Sequence, residues 1–353
     1  MSPPLLLLFF LLFSISTTNS NGSHHPNFSA ILFFGDSTLD TGNNVFIPTL
    51  IKSDHVPYGL DFAGHAATGR FSNGLLVPDL LSSKLGIKHL SPPFLDPKLS
   101  EEDMRTGVNF ASAGSGFDDV TSVLSHTMPM SKQLEMFRSY LGRLREMVGE
   151  EEAGRIIADA LMFIGAGTND FLLNYYDVPT RKAMFNISEY QDFILHKVEG
   201  ALKDIHDLGG RRFCVVGLPP IGCIPLQITA SFSHLLHRAC VDEQNLDAII
   251  YNSKLQKLLH VMQNLLPSSR FVYQDTYNLV MKILNNPVKY GFEETTRGCC
   301  GSGLIEVGPL CNILTPLCQD VSSYVFFDAI HPSQRVHKLV AAYIMKYVIP
   351  KLQ

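Results

Sequence analysis

Along the chain, short uninterrupted apolar runs alternate with longer stretches in which apolar residues recur every three or four positions. The short runs are Ala30–Phe34 (AILFF), Gly107–Phe110 (GVNF), Leu161–Ile164 (LMFI), Phe213–Gly217 (FCVVG) and Phe271–Gln274 (FVYQ). The longer stretches, Ser131–Met147, Ser188–Leu208 and Gln244–Leu265, carry the helical period. Such alternation predicts a parallel sheet covered by helices. Ser188 and Gln191 are spaced as a capping box, and Gly209-Gly210 supplies the stop at the other end of that helix. A further strand-like run, Tyr324–Phe327, stands late in the chain, followed by a helix for which Pro332 suits the first position. The apolar stripes of the helices read as core packing. No internal repeat, linker or compositional break divides the chain, which predicts one domain over residues 24–353.

Sheets of this kind place their chemistry in the loops beyond the carboxyl ends of the strands. Three of those loops are small, polar and rich in glycine: Gly35-Asp36-Ser37-Thr38, then Ala111-Ser112-Ala113-Gly114-Ser115-Gly116, then Gly165-Ala166-Gly167-Thr168-Asn169-Asp170. Each lets backbone approach a ligand closely.

Composition narrows the class. Of 353 residues, 28 are basic and 33 acidic, a net charge of −5 without long like-charge blocks, which excludes the basic stripe of a nucleic-acid binder. The run Leu5–Phe13 (LLLLFFLLF), followed by small polar residues, reads as a secretory leader over residues 1–23; it is too short to span a bilayer. Asn27-Phe28-Ser29 and Asn186-Ile187-Ser188 are glycosylation acceptors, with Asn21-Gly22-Ser23 a third near the cleavage point. All seven cysteines lie in the second half. An exported protein should pair most of them. Cys214, inside an apolar run, reads as a buried free thiol. Cys223 is expected to pair with Cys240, and Cys299, Cys300, Cys311 and Cys318 among themselves, the adjacent pair being disfavoured by geometry.

Serine acyl transfer requires a hydroxyl nucleophile, an imidazole to take its proton, a carboxylate to hold the imidazole, and donors for the oxyanion. Ser37 follows the first strand in a tight turn. The imidazole and carboxylate are supplied by Phe327-Asp328-Ala329-Ile330-His331-Pro332, where Asp328 and His331 stand three apart on a loop. The sequence has no Gly-x-Ser-x-Gly elbow, His-Glu-x-x-His, Cys-x-x-Cys, phosphate loop or Gly-x-Gly-x-x-Gly. These absences remove the ordinary α/β-hydrolase, zinc-protease and nucleotide-binding readings.

With these residues in view, the sequence resembles the plant-type GDSL esterase/lipases of the SGNH hydrolase superfamily. The resemblance is carried by Phe34–Asn44 (FGDSTLDTGNN), Pro57-Tyr58-Gly59, Ala67–Gly74 (ATGRFSNG), Asn109–Gly114 (NFASAG), Gly167-Thr168-Asn169-Asp170, Gly217–Cys223 (GLPPIGC) and Asp328–Ser333 (DAIHPS). It implies an α/β/α sandwich with a five-stranded parallel, flavodoxin-like sheet. It also implies Ser37 as nucleophile, His331 as general base and Asp328 as its orienting carboxylate. The oxyanion hole would be built from the Ser37 and Gly114 N–H groups and the Asn169 amide. Thr38 stands where the family name has leucine. The expected activity is hydrolysis of a small-molecule or lipid ester without cofactor or metal. Transfer of the acyl group to an alcohol is the enzymatic alternative, and a binding or defence protein on the same fold the non-catalytic one. The substrate loops are expected within 45–65 and 117–129.

Overall fold

The computed structural model describes residues 28–231 and 237–352. The leader over 1–23 and the acceptors Asn21 and Asn27 lie outside those residues. Four strands, β1 (Ile31–Gly35), β2 (Leu161–Gly165), β3 (Arg212–Val216) and β4 (Arg270–Gln274), form a parallel sheet in the order β1-β2-β3-β4. The register sets Gly35 opposite Gly165 and Phe213 opposite Phe271. Each apolar run forms a strand within a residue of its expected limits, except one. Residues 107–110 flank β1 on its open edge but form no strand, which corrects the expected count of five. Phe33 N–H reaches Val108 O at 3.4 Å, and the N–H groups of Phe110 and Ser112 donate to Phe33 O and Gly35 O at 2.8 and 3.0 Å. The pairing consists of isolated bridges from Asn109, to Phe33 on one side and to Pro93 on the other. Counted in place, the segment gives the flavodoxin-like order 2-1-3-4-5. A second small sheet pairs β5 (Glu294–Gly298) with β6 (Tyr324–Phe326) in parallel. The sequence hid β5 because its residues, ETTRG, are polar.

Seven helices matter here: α1 (Val77–Lys84), α2 (Met130–Val148), α3 (Glu150–Asp159), α4 (Ile187–Asp207), α5 (Asp242–Leu265), α6 (Thr276–Asn285) and α7 (Gln334–Tyr347). Strand residues alternate between two faces. Leu32, Phe34, Met162, Ile164, Phe213 and Val215 pack into the larger core with residues of α2, α3, α4 and α5. Ile31, Phe33, Leu161, Phe163 and Cys214 face α1 and α7. The outcome is a three-layer α/β/α sandwich.

Two helix starts depart from expectation. Asn186, not Ser188, caps α4: its Oδ1 accepts the Glu189 N–H at 3.0 Å, and the Glu189 carboxylate accepts the Asn186 N–H at 2.9 Å. Gln191 cannot reach back to a cap because it is buried and donates to Asp247 O at 3.0 Å. Pro332 bridges to Phe326 and the Ser333 hydroxyl donates to Tyr324 O at 2.8 Å, so α7 begins two residues later than expected. Disulfides join Cys223 to Cys240, Cys299 to Cys318 and Cys300 to Cys311. Cys214 is free and buried in β3, and burial pushes its thiol up. Among the described residues no helix is long and apolar enough to cross a membrane.

Candidate active site

The turn after β1 is built for close approach. A Cβ on Gly35 would fall 2.0 Å from Gly165 O, so only glycine lets β1 and β2 end side by side. Gln133 of α2 clamps this glycine, accepting its N–H and donating to its carbonyl, both at 2.8 Å. The Leu39 and Asp40 N–H groups then fold back onto Asp36 O at 3.1 and 2.9 Å, which leaves Ser37 at the crest of the turn. The Thr38 hydroxyl donates to Asp36 Oδ1 at 2.8 Å, a bond that leucine at this position would lack.

The second arm comes from the loop after β6. Asp328 is wholly buried and its carboxylate collects four donors. The N–H groups of Ile330 and His331 reach Oδ1 at 2.8 and 2.7 Å, while the Tyr58 hydroxyl and His331 Nδ1 reach Oδ2 at 2.7 Å each. A carboxylate only accepts, so Nδ1 carries the proton and Nε2 is left as an acceptor. Nε2 lies 2.8 Å from Ser37 Oγ. Phe71 covers the imidazole with ring centroids 4.7 Å apart. The structure thus joins Ser37, His331 and Asp328 in one buried hydrogen-bonded chain.

Beside it lie the candidate oxyanion donors. Asn169 Nδ2 donates to Ser115 O at 2.9 Å, which orients the amide and leaves its second N–H uncommitted to that bond. Gly114 takes φ +81°, a left-handed conformation that glycine adopts without cost. Among the described residues, neither the Gly114 nor the Ser37 N–H has a protein acceptor. The loop that carries Gly114 is tied to the turn of Ser37: Ala113 N–H donates to Asp40 Oδ2 at 2.9 Å, and Ser115 Oγ to Gly35 O at 2.7 Å. Its far side is held by Asp170, which accepts from the Phe117 and Asp118 N–H groups at 2.9 and 3.0 Å and from Thr121 Oγ1 at 2.5 Å. Burial pushes the carboxyls of Asp40 and Asp170 up to about 6 and about 7. Tyr58, Gln133, Asp40 and Asp170 were not assigned roles from sequence. Tyr58, Asp40 and Asp170 stand in blocks singled out above, but the partner of Tyr58 is 270 residues distant and no local signal names it. Among the described residues, no group of three or more His, Cys, Asp or Glu is arranged to hold a metal ion.

A doubly wound parallel sheet with a hydrogen-bonded Ser–His–Asp chain beside its strand ends is an arrangement that hydrolases use. The chain belongs to the GDSL-like lipase/acylhydrolase family, whose profile matches residues 31–344. It is 48% identical over 323 residues to the Arabidopsis thaliana GDSL esterase/lipase At2g31550, covering 91% of this chain and 89% of that protein. GDSL esterase/lipase At2g31540 of the same plant is 46% identical, covering 95% and 93% of the two chains. GDSL esterase/lipase At1g58430, also from Arabidopsis thaliana, is 48% identical over 89% and 88%. The protein is a carboxylic ester hydrolase.

Proposed function

We propose that the protein is an exported serine esterase that hydrolyses carboxylic esters through an acyl-Ser37 intermediate. The observation that carries this reading is the 2.8 Å contact between Ser37 Oγ and His331 Nε2, continued by Nδ1 to the buried Asp328. In the first half-reaction, Oγ attacks the ester carbonyl carbon as Nε2 takes its proton. The carbonyl oxygen becomes an oxyanion held by the Ser37 and Gly114 N–H groups and the Asn169 amide. His331 returns the proton to the leaving alcohol as the C–O bond breaks. Water then repeats the sequence on the acyl-serine, releasing the acid and restoring Ser37. Asp328 holds the tautomer and stabilises the imidazolium without taking the proton itself.

Export is supported by the leader-like run over residues 1–23, by three disulfides and by the exposed acceptor Asn186. Its Nδ2 can carry a glycan while Oδ1 caps α4. Ser37→Ala tests the mechanism: ester turnover and labelling by a serine-directed phosphonate should vanish with the thermal transition unchanged. Retained turnover in that variant excludes Ser37 as nucleophile. N-terminal and intact-mass analysis of secreted material should find residues 1–23 removed and glycan on Asn186; an unprocessed, unglycosylated product contradicts export.

A further inference from the structure

Among the seven helices, α5 differs in carrying apolar side chains on both faces. Its inner face packs Ala248, Tyr251, Leu255, Leu259 and Met262 into the larger core. Its outer face exposes Leu246, Ile249, Ile250, Val261 and Leu265, each by 40% or more. In the other six helices, Tyr347 of α7 is the only large hydrophobic side chain so exposed among the described residues. At ~3.6 residues per turn the five fall within less than half of the helix circumference. Single exposed aliphatic residues need no explanation, whereas five on one face form a patch of the kind that binds a partner.

The patch reads the same from either end. Leu246 and Ile250 stand one turn apart near the start of α5, and Val261 and Leu265 one turn apart near its end. About a point between Leu255 and Gln256, Leu246 mirrors Leu265 and Ile250 mirrors Val261. A second copy laid antiparallel therefore sets Leu246 against Leu265 and Ile250 against Val261 on both sides of that point. This is the isologous contact that a two-fold dimer requires. Charge obeys the same symmetry: exposed Asp242 and Glu243 open the helix, and exposed Arg270 stands just past its end. Antiparallel copies bring each acidic end to the other's Arg270, whereas parallel copies would oppose like charges. Lys257 falls opposite Lys254 in this register, but the Lys254 ammonium is already countered by Asp192 at 2.7 Å. We propose that the outer face of α5 is a self-association surface on which a second copy of the chain packs antiparallel. A short turn joins α5 to β4, so the two run in opposite directions and the start of α5 lies at the strand ends that hold Ser37. The two catalytic turns thus point to opposite ends of the pair, and neither copy closes the other. The inference goes beyond the acyl-Ser37 reading and does not depend on it.

The test is sedimentation velocity of the secreted protein over a wide range of concentration, for the parent and for Ile250→Asp and Val261→Lys. The parent's mass should rise with concentration to twice the monomer's. Each variant alone buries an unpaired charge in both halves of the contact, so its dimer should weaken at least about tenfold. Both positions are exposed, so the thermal transition of the monomer and its ester turnover should not change. Mixing the two variants should restore the doubled mass. In the mixed pair the introduced acid meets the introduced amine, while the unaltered Val261 and Ile250 meet in the other half. That rescue is specific to the antiparallel register. A parent that stays monomeric throughout overturns the proposal, as does a dimer that both folded variants leave intact. Variants that are monomeric alone and remain so when mixed overturn the register, and with it the proposal. A parent that associates only after enzymatic removal of its glycans also overturns it, since sugar would then be what covers the face. Ester turnover and phosphonate labelling, measured on the same samples, report on Ser37 separately, so a failure here leaves the esterase reading standing.

Discussion

The Tyr58 hydroxyl donates to Asp328 Oδ2 at 2.7 Å, the oxygen that also faces His331 Nδ1 at 2.7 Å. The same hydroxyl accepts the Gly308 N–H at 2.8 Å, so it links the loop around residue 308 to the carboxylate that orients the imidazole. Its ring is wholly buried and packs edge-on against Phe71 and Phe327. Burial, with Asp328 alongside, raises the phenol well above its ordinary range, so it remains a donor at any working pH. Tyr58→Phe keeps the ring and removes the donor. Hydrogen bonds to charged groups contribute ~1.5–3 kcal/mol, so kcat should fall roughly ten- to a hundredfold with KM little changed. Steady-state kinetics beside a thermal melt check this. A variant that melts earlier but keeps full kcat would show that Tyr58 serves packing alone.

Asn169 makes a comparable claim on the other side of Ser37. One amide proton is committed to Ser115 O, and the proposal gives the other to the oxyanion. Removing such a donor typically costs ~10²–10³ in kcat. Asn169→Ala should show that loss with little change in KM, since the charge develops only in the transition state. Asn169→Asp should do no better, because a carboxylate repels the oxyanion. Both variants should still be labelled, slowly, by a phosphonate. Near-normal kcat in Asn169→Ala would leave the hole to the Ser37 and Gly114 N–H groups.

The Cys300–Cys311 bridge closes the loop on which Gly308 meets Tyr58. Cys300, Cys311, Tyr58, Phe71 and Phe327 share one small cluster beneath the imidazole. A disulfide typically contributes ~2–4 kcal/mol, and less for a short loop than for a long one. The double variant Cys300→Ser/Cys311→Ser should therefore melt several degrees lower and lose kcat together with Tyr58→Phe. Combining it with Tyr58→Phe should cost less kcat than the product of the two losses, since both act through the same carboxylate. Independent, multiplying losses would show that the bridge acts elsewhere.

Legibility in the sequence followed the physics of each element. Strands β1 to β4 were readable because helices cover both faces, which keeps the middle of each run apolar. Residues 107–110 misled because GVNF is apolar enough for a strand, yet Asn109 spends its side chain on Leu39 O and the Ala111 N–H, and its backbone on two neighbours. Asp328 and His331 could be paired from sequence since three residues on a loop suffice to join them. Tyr58 could not, since its contact exists only after β1 and β6 are brought together.

Asp170 offers a test through pH. Its carboxyl is buried and accepts three hydrogen bonds, yet desolvation outweighs them and pushes it up to about 7. In the unfolded chain an aspartate titrates near ~3.9. Between roughly pH 4 and pH 7 the folded protein therefore holds a proton that the unfolded chain has lost, and stability must fall as pH rises through that window. Asp40, pushed up to about 6, contributes in the same direction over a narrower range. This is the reverse of a salt-bridged carboxylate, which strengthens the fold as pH rises. Asp170→Asn keeps the shape and stays neutral, so it should flatten the dependence: the variant's Tm should gain on the parent's as pH is raised from about 4 to about 7. Part of that gain will be offset by a constant loss, because an amide cannot accept all three bonds. Differential scanning calorimetry of both proteins across the window isolates the slope from the offset. Parallel Tm curves would mean that Asp170 is ionised throughout and that its three donors, not burial, govern its charge.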